Sequence, residues 1–223
     1  MGALFIVATP IGNLGDITLR ALQTLKDVDV IACEDTRRTR ALLSHYSINT
    51  RTISFGHDNS RVGRILGLLS VGQDVALVTD AGTPAISDPG SGAVRAARTN
   101  GHPVIPIPGV SALTTLLSVS GQGLQGTRFY GFCSRKPGRR RSQLKHLLSD
   151  KGSFVLFEAP HRVLRMLEEL SRLAPQREIM LARELTKIHE EILSGSADEL
   201  ITILNNRNKI VGELMLLVAG ENT

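Results

Sequence analysis

The sequence contains no tryptophan, and aromatic residues make up only 4% of its 223 positions. Its core must therefore be built from leucine, valine, isoleucine and alanine. No apolar run approaches the roughly 20 residues that a membrane-spanning helix needs, and the N-terminus lacks the basic flank and the small-residue cleavage site of a signal peptide. We therefore expect a cytoplasmic protein with no membrane partner.

Cysteine and phosphate-binding motifs are equally scarce. Cys33 and Cys133 stand alone, without a CxxC pair or a zinc-type spacing, which favours reduced structural thiols and no metal. No GxxxxGK[ST] loop occurs, which argues against an ATPase or a kinase. Gly121, Gly123 and Gly126 fit GxGxxG literally, but a predicted helix precedes them and a predicted strand follows, so we interpret this segment as a linker.

Apolar runs alternate with amphipathic stretches along the chain, which predicts an α/β protein. The first half should form a mainly parallel sheet covered on both faces. In this half the predicted strands are 4–9, 28–34, 51–56, 74–80 and 103–109, and the predicted helices are 18–27, 36–45, 60–71, 93–100 and 111–120. In the second half the predicted strands are 129–132, 153–159, 178–184 and 212–220, and the predicted helices are 141–149, 161–173 and 196–205. A glycine-rich break near residue 120 separates two predicted α/β domains, 1–119 and 120–223.

Polar, glycine-rich loops follow several strands of the first half, at 9–16, 34–37 and 80–90. Ligands of open α/β sheets bind beyond the carboxyl ends of strands, so we expect these loops to meet at one place. In the loop "DAGTPAISDPG", Asp80 and Asp88 either cap backbone N–H groups or bind a ligand. Two carboxylates in one proline-ordered loop favour ligand binding.

Other charged or small-residue segments also follow strands, and each has a simpler interpretation. In "IPGVSA" (107–112), Ser111 could be only a helix N-cap. His57 of "FGHDNSR" is a weak candidate, because a lone histidine is commonly a hydrogen-bonded surface residue. The segments "FEAPHR" (157–162) and "ARELTKIHEE" (182–191) are either part of a site or a surface lattice of salt bridges.

The net charge is +5, with a pI near 9.6, which is compatible with a nucleic-acid partner. The sharpest basic cluster is "SRKPGRRRSQLK" (134–145), which contains no acidic residue. A basic run is commonly a solvated loop. Because this run stands beside Pro137 and Gly138, we predict a loop that contacts phosphates.

Six segments together resemble, in order, the signature blocks of one family. They are "TPIGNLGDITLRAL", "IACEDTRRTRALL", "DAGTPAISDPG", "IPGVSA", "FEAPHR" and "ARELTKIHEE". The family is the bacterial 16S ribosomal RNA (cytidine-2′-O)-methyltransferases, within the tetrapyrrole-methylase superfamily. The resemblance implies two α/β domains of the tetrapyrrole-methylase type with an S-adenosylmethionine cleft between them, and a homodimer. The implied reaction is methylation of a cytidine 2′-hydroxyl in the decoding region of small-subunit ribosomal RNA.

The resemblance also implies the roles of individual residues. The cofactor is expected to lie against Pro10, Asp80, Ala81, Gly82, Thr83, Pro84, Ile86, Ser111, Ala112, Phe157, Glu158, Ala159, Ala182 and Arg183. RNA contacts are expected from Arg37, Arg135, Lys136, Arg139, Arg140 and Arg141. A ribose hydroxyl is a poor nucleophile, so a nearby base or cation would help. The candidates are Glu184, Lys187, Asp88 and His57.

Three departures from the family pattern stand in the sequence. It has "FCS" (132–134) where members usually have "FLP", it carries Asp58 in place of glutamate, and it ends after its last strand where many members continue. The first two departures concern local RNA contacts. The alternative functions are methylation of a small tetrapyrrole, or a non-catalytic RNA-binding module on the same fold.

Overall fold

The computed structural model describes residues 1–55, 60–122 and 126–221. It divides into two compact units, Met1–Ser111 and Ala112–Thr223. The division precedes the predicted boundary between residues 119 and 120. Its position groups the helix Ala112–Val119 with the second unit.

The first unit contains five strands and four helices within its described residues. The strands are β1 (Leu4–Val7), β2 (Val30–Cys33), β3 (Thr52–Ser54), β4 (Val75–Val78) and β5 (Val104–Ile107). The helices are α1 (Leu19–Asp27), α2 (Thr36–His45), α3 (Ser60–Ser70) and α4 (Ser91–Thr99). The sheet order is β3-β2-β4-β1-β5, and every pairing is parallel. The prediction of a parallel sheet is confirmed.

Helices cover both faces of this sheet, as its uniformly apolar strands require. One core cluster joins Leu4 and Leu77 to residues of α3 and α4. The other joins Ile31 and Ala76 to residues of α1 and α2. All four residues of β2 and of β4 are buried, so these two strands have no solvent-facing side.

The second unit is built on a mixed sheet with the order β6-β7-β10-β8-β9. Its strands are β6 (Arg128–Phe132), β7 (Phe154–Glu158), β8 (Ile179–Arg183), β9 (Glu191–Gly195) and β10 (Leu214–Val218), and its helices are α5 (Ala112–Val119), α6 (Pro137–Leu148), α7 (Val163–Leu173) and α8 (Ala197–Asn205). Among the described strands of this second sheet, only β6 and β7 pair in parallel. The core packs one face of this sheet against α6, α7 and α8.

Helix α6 corrects the prediction of a basic loop. It begins at Pro137, where the fixed φ of proline suits the first helical position, and it runs through the arginines to Leu148. Its buried face contains Arg140, Leu144 and Leu147, at the i, i+4, i+7 spacing of an amphipathic helix. The basic cluster is therefore helical from Pro137 onward.

Candidate functional site

The first and third strand-end loops of the first unit are joined directly. Thr9 N–H donates to Gly82 O at 3.0 Å, and Gly82 N–H donates to Thr9 O at 2.9 Å, forming an isolated antiparallel bridge. β1 and β4 are neighbours in the parallel sheet, so their carboxyl ends lie side by side. The φ of Gly82 is +78°, a left-handed conformation that glycine adopts at little cost.

Asp80 joins the β4 loop to the loop after β2. Its Oδ1 accepts a hydrogen bond from Asp35 N–H at 3.0 Å, and its Oδ2 lies 3.4 Å from Arg38 Nη1. Both carboxylate oxygens therefore hold the start of α2 against the end of β4. Together with the Thr9–Gly82 bridge, these contacts bring the three loops to one edge of the sheet, as predicted.

The loop after β5 lies at the same edge. Thr83 Oγ1 donates to Val110 O at 3.2 Å. Gly109 runs so close to β1 that an added Cβ would lie 2.9 Å from the Cβ of Ala8. Glycine is therefore needed here for close packing of two loops.

The loop after β1 is ordered by contacts of its own. Asn13 Oδ1 accepts from Gly15 N–H at 3.0 Å and caps a 3₁₀ turn, Leu14–Asp16. Tyr46, the residue that caps the end of α2, donates its hydroxyl hydrogen to Leu14 O at 2.6 Å. Pro10 is half-buried at the start of this loop.

The proline-rich loop 80–90 presents a mixed surface. Gly82 and Pro84 are buried, Thr83 is half-buried, and Ile86 is 53% exposed. Asp88 is exposed and has interactions of its own. The backbone and small side chains therefore form most of the wall that this loop offers.

Asp35 is the N-cap of α2. Its Oδ1 accepts from Arg37 N–H at 2.8 Å, and its Oδ2 accepts from Arg37 Nη2 at 2.8 Å. The hydrogen bonds from Arg37 lower the pKa of Asp35 to about 2. The side chain of Arg37 is 87% exposed, so the ion pair leaves most of this predicted RNA-contacting side chain in solvent.

We expect Asp35 to titrate near pH 2 instead of its usual 3.8. Because its pKa is depressed on folding, its contribution to stability is complete above pH 3.8 and is lost as the pH falls towards 2. NMR titration of the carboxyl carbon measures this directly. Asp35→Asn keeps the capping oxygen but cannot titrate. The variant should therefore be less stable than the native chain above pH 3.8, and this difference in stability should shrink as the pH falls towards 2. A midpoint near 3.8 would contradict the prediction.

In the second unit, Glu158 is the last residue of the buried strand β7, and its carboxylate is paired with Arg162. It is 2% exposed, and its Oε1 lies 3.0 Å from Arg162 Nε. Burial raises the pKa of Glu158, against the opposing effect of the Ala159 N–H and Arg162. Arg162 also donates to Cys133 O at 2.9 Å. The pair thus fixes the ends of β6 and β7 in place.

The segment after β8 holds the two main catalytic candidates in a common ion-pair network. Lys187 Nζ lies 2.8 Å from Glu184 Oε1 and 3.1 Å from Glu213 Oε2. Glu184 and Thr186 have φ values of +53° and +66°, so this turn is strained.

The network keeps both candidates charged. The hydrogen bond from Lys187 is the main cause that lowers the pKa of Glu184. Burial lowers the pKa of Lys187, but its hydrogen bonds to Glu184 and Glu213 outweigh burial and raise it overall. A general base works best with a pKa near the working pH, and these shifts move both groups away from it. The pair is better suited to holding the turn than to taking a proton.

Two further predicted residues of β8 are placed by the sheet. Ala182 is buried, and Arg183 Nε lies 3.0 Å from Glu191 Oε2 on the neighbouring strand β9. Glu191 is shared with Arg207, whose Nη1 donates to it at 2.7 Å. Strand β9 was not predicted, because the sequence suggested only a charged segment.

Arg140 was predicted to contact RNA, and this prediction is wrong. It is 5% exposed, and its Nη2 donates to Glu169 Oε1 of α7 at 2.6 Å. A buried and paired guanidinium has no face left for a phosphate. The other predicted cations of this cluster are exposed: Arg135, Lys136, Arg139 and Arg141.

What the structure says about His57, about metal binding and about the membrane extends only as far as the described residues. His57 and Asp58 lie outside the described residues. Among residues 1–55, 60–122 and 126–221, no cluster of three or more His, Cys, Asp or Glu side chains could hold a metal ion. Within the same ranges no helix combines the length and the apolar character that crossing a membrane requires.

The sequence analysis missed Tyr46 and Glu169, both of which position elements of the candidate sites. Tyr46 holds the loop after β1, and Glu169 holds α6. The only available signal for Glu169 was an acidic residue at position 169 on the otherwise apolar face of α7, beside Met166 and Leu170.

Comparison with known proteins defines the class first. Residues 3–201 match the profile of the tetrapyrrole (corrin/porphyrin) methylases. The crystal structure of a uroporphyrin-III C-methyltransferase from Thermus thermophilus, complexed with S-adenosyl homocysteine, aligns with a TM-score of 0.68 and 20% identity over 99% of this chain and 98% of that chain. The fold is therefore that of the tetrapyrrole methylases.

Two relatives narrow the class to a family. A ribosomal RNA small subunit methyltransferase I of Hydrogenobaculum sp. is 45% identical over 99% of this chain and 96% of its own length. One of Leptospira biflexa is 42% identical over 93% of this chain and 92% of its own length. The chain belongs to the family of ribosomal RNA small subunit methyltransferase I.

Proposed function

We propose that the protein transfers a methyl group from S-adenosylmethionine to the 2′-hydroxyl of a cytidine in small-subunit ribosomal RNA. The observation that carries this proposal is the meeting of the strand-end loops at the carboxyl edge of the first sheet. That edge is where open α/β sheets bind ligands, and the family to which the chain belongs is one of ribosomal RNA methyltransferases.

The residues at this edge fit a cofactor that carries no phosphate. Backbone and small side chains form most of this surface, Ile86 is an exposed apolar residue within it, and the carboxylate of Asp80 is already bound to Asp35 N–H. Two backbone hydrogen bonds between Thr9 and Gly82 join the loops after β1 and β4 at this edge. An adenine or a ribose can lie against such a surface, whereas a phosphate would need several free N–H donors or cations.

We assign the cofactor contacts in the first unit to Pro10, Ala81, Gly82, Thr83, Pro84, Ile86 and Ser111. S-adenosylmethionine, when bound, supplies a methyl group on a sulfonium that is already an activated leaving group. The contacts expected from Ala112, Phe157, Glu158, Ala159, Ala182 and Arg183 stay predictions. Asp80 acts in this proposal as a positioning residue that holds two loops together.

The contribution of the protein is mainly orientation. In-line displacement requires the ribose oxygen and the methyl carbon roughly 3 Å apart and aligned. The rigid, interlocked loops are suited to this, because a bridge such as Thr9–Gly82 fixes two of them at once. In this proposal Lys187, held as a cation by Glu184 and Glu213, stabilises the negative charge that develops on the ribose oxygen. The roles of Asp88 and His57 stay predictions.

The exposed cations of α6 are proposed to hold RNA phosphates. Replacing Arg139 or Arg141 with alanine should weaken RNA binding. The slope of the logarithm of the RNA association constant against the logarithm of salt concentration should become shallower by about 0.7 per lost contact. Fluorescence anisotropy with labelled RNA at several salt concentrations measures this slope.

S-adenosylmethionine affinity should be unchanged in both variants. The matched control is Arg98→Ala, which removes an exposed cation from the end of α4 and should leave the salt slope unaltered. Equal losses of RNA and cofactor affinity would contradict this division of roles.

The decisive experiment is tritium transfer from labelled S-adenosylmethionine. We expect incorporation into RNA of small ribosomal subunits, mapped to a cytidine ribose by resistance of its 3′ bond to alkaline hydrolysis. Naked ribosomal RNA and uroporphyrinogen serve as parallel substrates. Transfer to uroporphyrinogen alone would refute the proposal, and absence of cofactor binding would favour a non-catalytic RNA-binding module. A homodimer and a cytoplasmic location are parts of the same proposal, and sedimentation tests the first.

A further inference from the structure

The aromatic residues of this chain are concentrated in one place. It has six phenylalanines and two tyrosines. Four of those phenylalanines and one tyrosine lie on β6 and β7: Phe129, Tyr130, Phe132, Phe154 and Phe157. Phe132 is 58% exposed and Tyr130 is 38% exposed. An aromatic-poor protein therefore presents two aromatic side chains on one short strand at the edge of a sheet.

A β-bulge turns Phe132 onto the same face as Phe129. Residues three apart on a regular strand point to opposite faces, but the pairing of β6 with β7 shifts register between Phe129 and Gly131. Gly131 has a φ of +73°, as a glycine at a bulge commonly does. Both rings then contact Phe157, with centroid distances of 5.2 Å for Phe129 and 5.4 Å for Phe132. Bulges commonly re-aim a side chain.

The same strand is fastened to the basic helix α6. Gln143 of α6 donates from Nε2 to Tyr130 Oη at 2.7 Å, and its Oε1 accepts from Ser134 N–H at 2.9 Å. Arg139 stands one helical turn before Gln143, so the two side chains share a face of α6. Strand β6 is therefore fastened to α6 through Tyr130, which faces this helix. The exposed end of β6 and the exposed cations at the start of α6 form what we call the β6–α6 surface.

The charge of this surface is of one sign. From residue 128 to residue 149 the sequence contains no aspartate or glutamate, and Arg135, Lys136, Arg139 and Arg141 are exposed. The chain between Phe132 and Arg135 spans at most about 11 Å. An exposed ring beside several cations is the arrangement that binds single-stranded RNA, in which bases stack on aromatic rings and phosphates contact arginine and lysine.

We propose that Phe132 stacks on an unpaired nucleobase of the RNA substrate while the exposed cations around the start of α6 hold the neighbouring phosphates. This inference rests on the proposed function, since it assigns the RNA to one surface of the second unit. Charge complementarity favours RNA over a protein partner: a second copy would bring the same cations to the interface. The ring of Phe157, on the neighbouring strand, contacts that of Phe132 at a tilt of 43°.

The lack of tryptophan provides a direct test. In Phe132→Trp the new indole is the sole tryptophan of the chain, and stacking on a base should quench its fluorescence as a short oligocytidylate RNA is added. The matched control is Ile192→Trp on β9, the opposite edge strand of the same sheet, where Ile192 is 38% exposed. The control should show no saturable quenching. Quenching of the position-132 reporter by inorganic polyphosphate, which has no bases, would overturn the proposal.

Affinity measurements separate stacking from charge and from plain apolar contact. Phe132→Ala should bind the oligocytidylate about tenfold more weakly, with the salt slope of the native chain. Phe132→Leu should be equally weak, because it keeps apolar area but has no aromatic face, and Phe132→Tyr should bind as the native chain does. Native affinity in Phe132→Leu would overturn stacking. Conversion of an oligomer to a monomer by Phe132→Ala, with RNA affinity unchanged, would assign this surface to a second copy.

These binding measurements need no methyl transfer. Failure of the native protein to methylate small subunits refutes the proposed function, whereas unchanged RNA affinity in Phe132→Ala refutes only the inference about this surface.

Discussion

Replacing Glu169 with alanine is expected to lower the free energy of unfolding by about 3–5 kcal/mol. Arg140 is 5% exposed and Glu169 is 7% exposed. Arg140 Nη2 lies 2.6 Å from Glu169 Oε1. Losing the carboxylate leaves a guanidinium buried and unpaired. Arg140 Nε and Glu169 Oε2 already lack hydrogen-bond partners among the described residues, so the hydrogen bond between Arg140 Nη2 and Glu169 Oε1 is the contact that the substitution removes. Urea denaturation followed by circular dichroism measures the change.

The control for this prediction replaces the whole pair. Arg140→Met combined with Glu169→Leu removes both charges and keeps similar volume, so its stability should be close to that of the native chain or above it. Arg139→Ala, at the adjacent exposed position, should change stability by less than about 0.5 kcal/mol. A loss below 1 kcal/mol in Glu169→Ala would show that the pair is not buried in solution.

The same pair explains why the sequence predicted a loop where α6 begins. A run of arginines next to proline and glycine has no visible apolar period, because Arg140 occupies the buried position one turn before Leu144. Its partner Glu169 is 29 residues away, and no local pattern reports a contact at that separation. The tertiary pairing of Arg140 with Glu169 therefore determines both that α6 forms here and that the charge of Arg140 is buried.

The meeting of the loops at the carboxyl edge of the first sheet was easier to predict from the sequence than the start of α6. β2 and β4 are apolar at every position, which is typical of strands buried on both faces of a parallel sheet. Parallel strands place their carboxyl ends at one edge, so the meeting of the loops after β1 and β4 follows from the strand assignment. The charge states of Glu184 and Lys187 did not follow, since Glu213, which pairs with Lys187, belongs to a distant segment.

Gly82→Val is expected to lower the affinity for S-adenosylmethionine by tenfold or more. A left-handed conformation costs a residue with a Cβ about 1–2 kcal/mol, and β-branched residues adopt it least readily. At φ +78°, a Cβ on residue 82 would already lie 3.4 Å from Ile11 Cγ2. The two methyl groups of valine must displace either this side chain or the bridge to Thr9. The loop can relieve this strain by moving away from its native conformation, and cofactor binding must then restore that conformation at the same cost. A cost of about 1.4 kcal/mol corresponds to a factor of ten in affinity, so relaxation of the loop alone accounts for the loss.

Gly72→Val separates loop geometry from general strain. Gly72 has a φ of +87°, and a Cβ there would meet no atom of the described residues within 4 Å. It lies after α3, at the opposite end of β4 from the loop that contains Gly82. The two variants should therefore lose comparable stability in thermal unfolding, and only Gly82→Val should lose cofactor affinity in calorimetric titration. Equal cofactor affinity in both variants would show that the bridge between Thr9 and Gly82 does not shape the binding surface, and the cofactor would then have to be held by other loops.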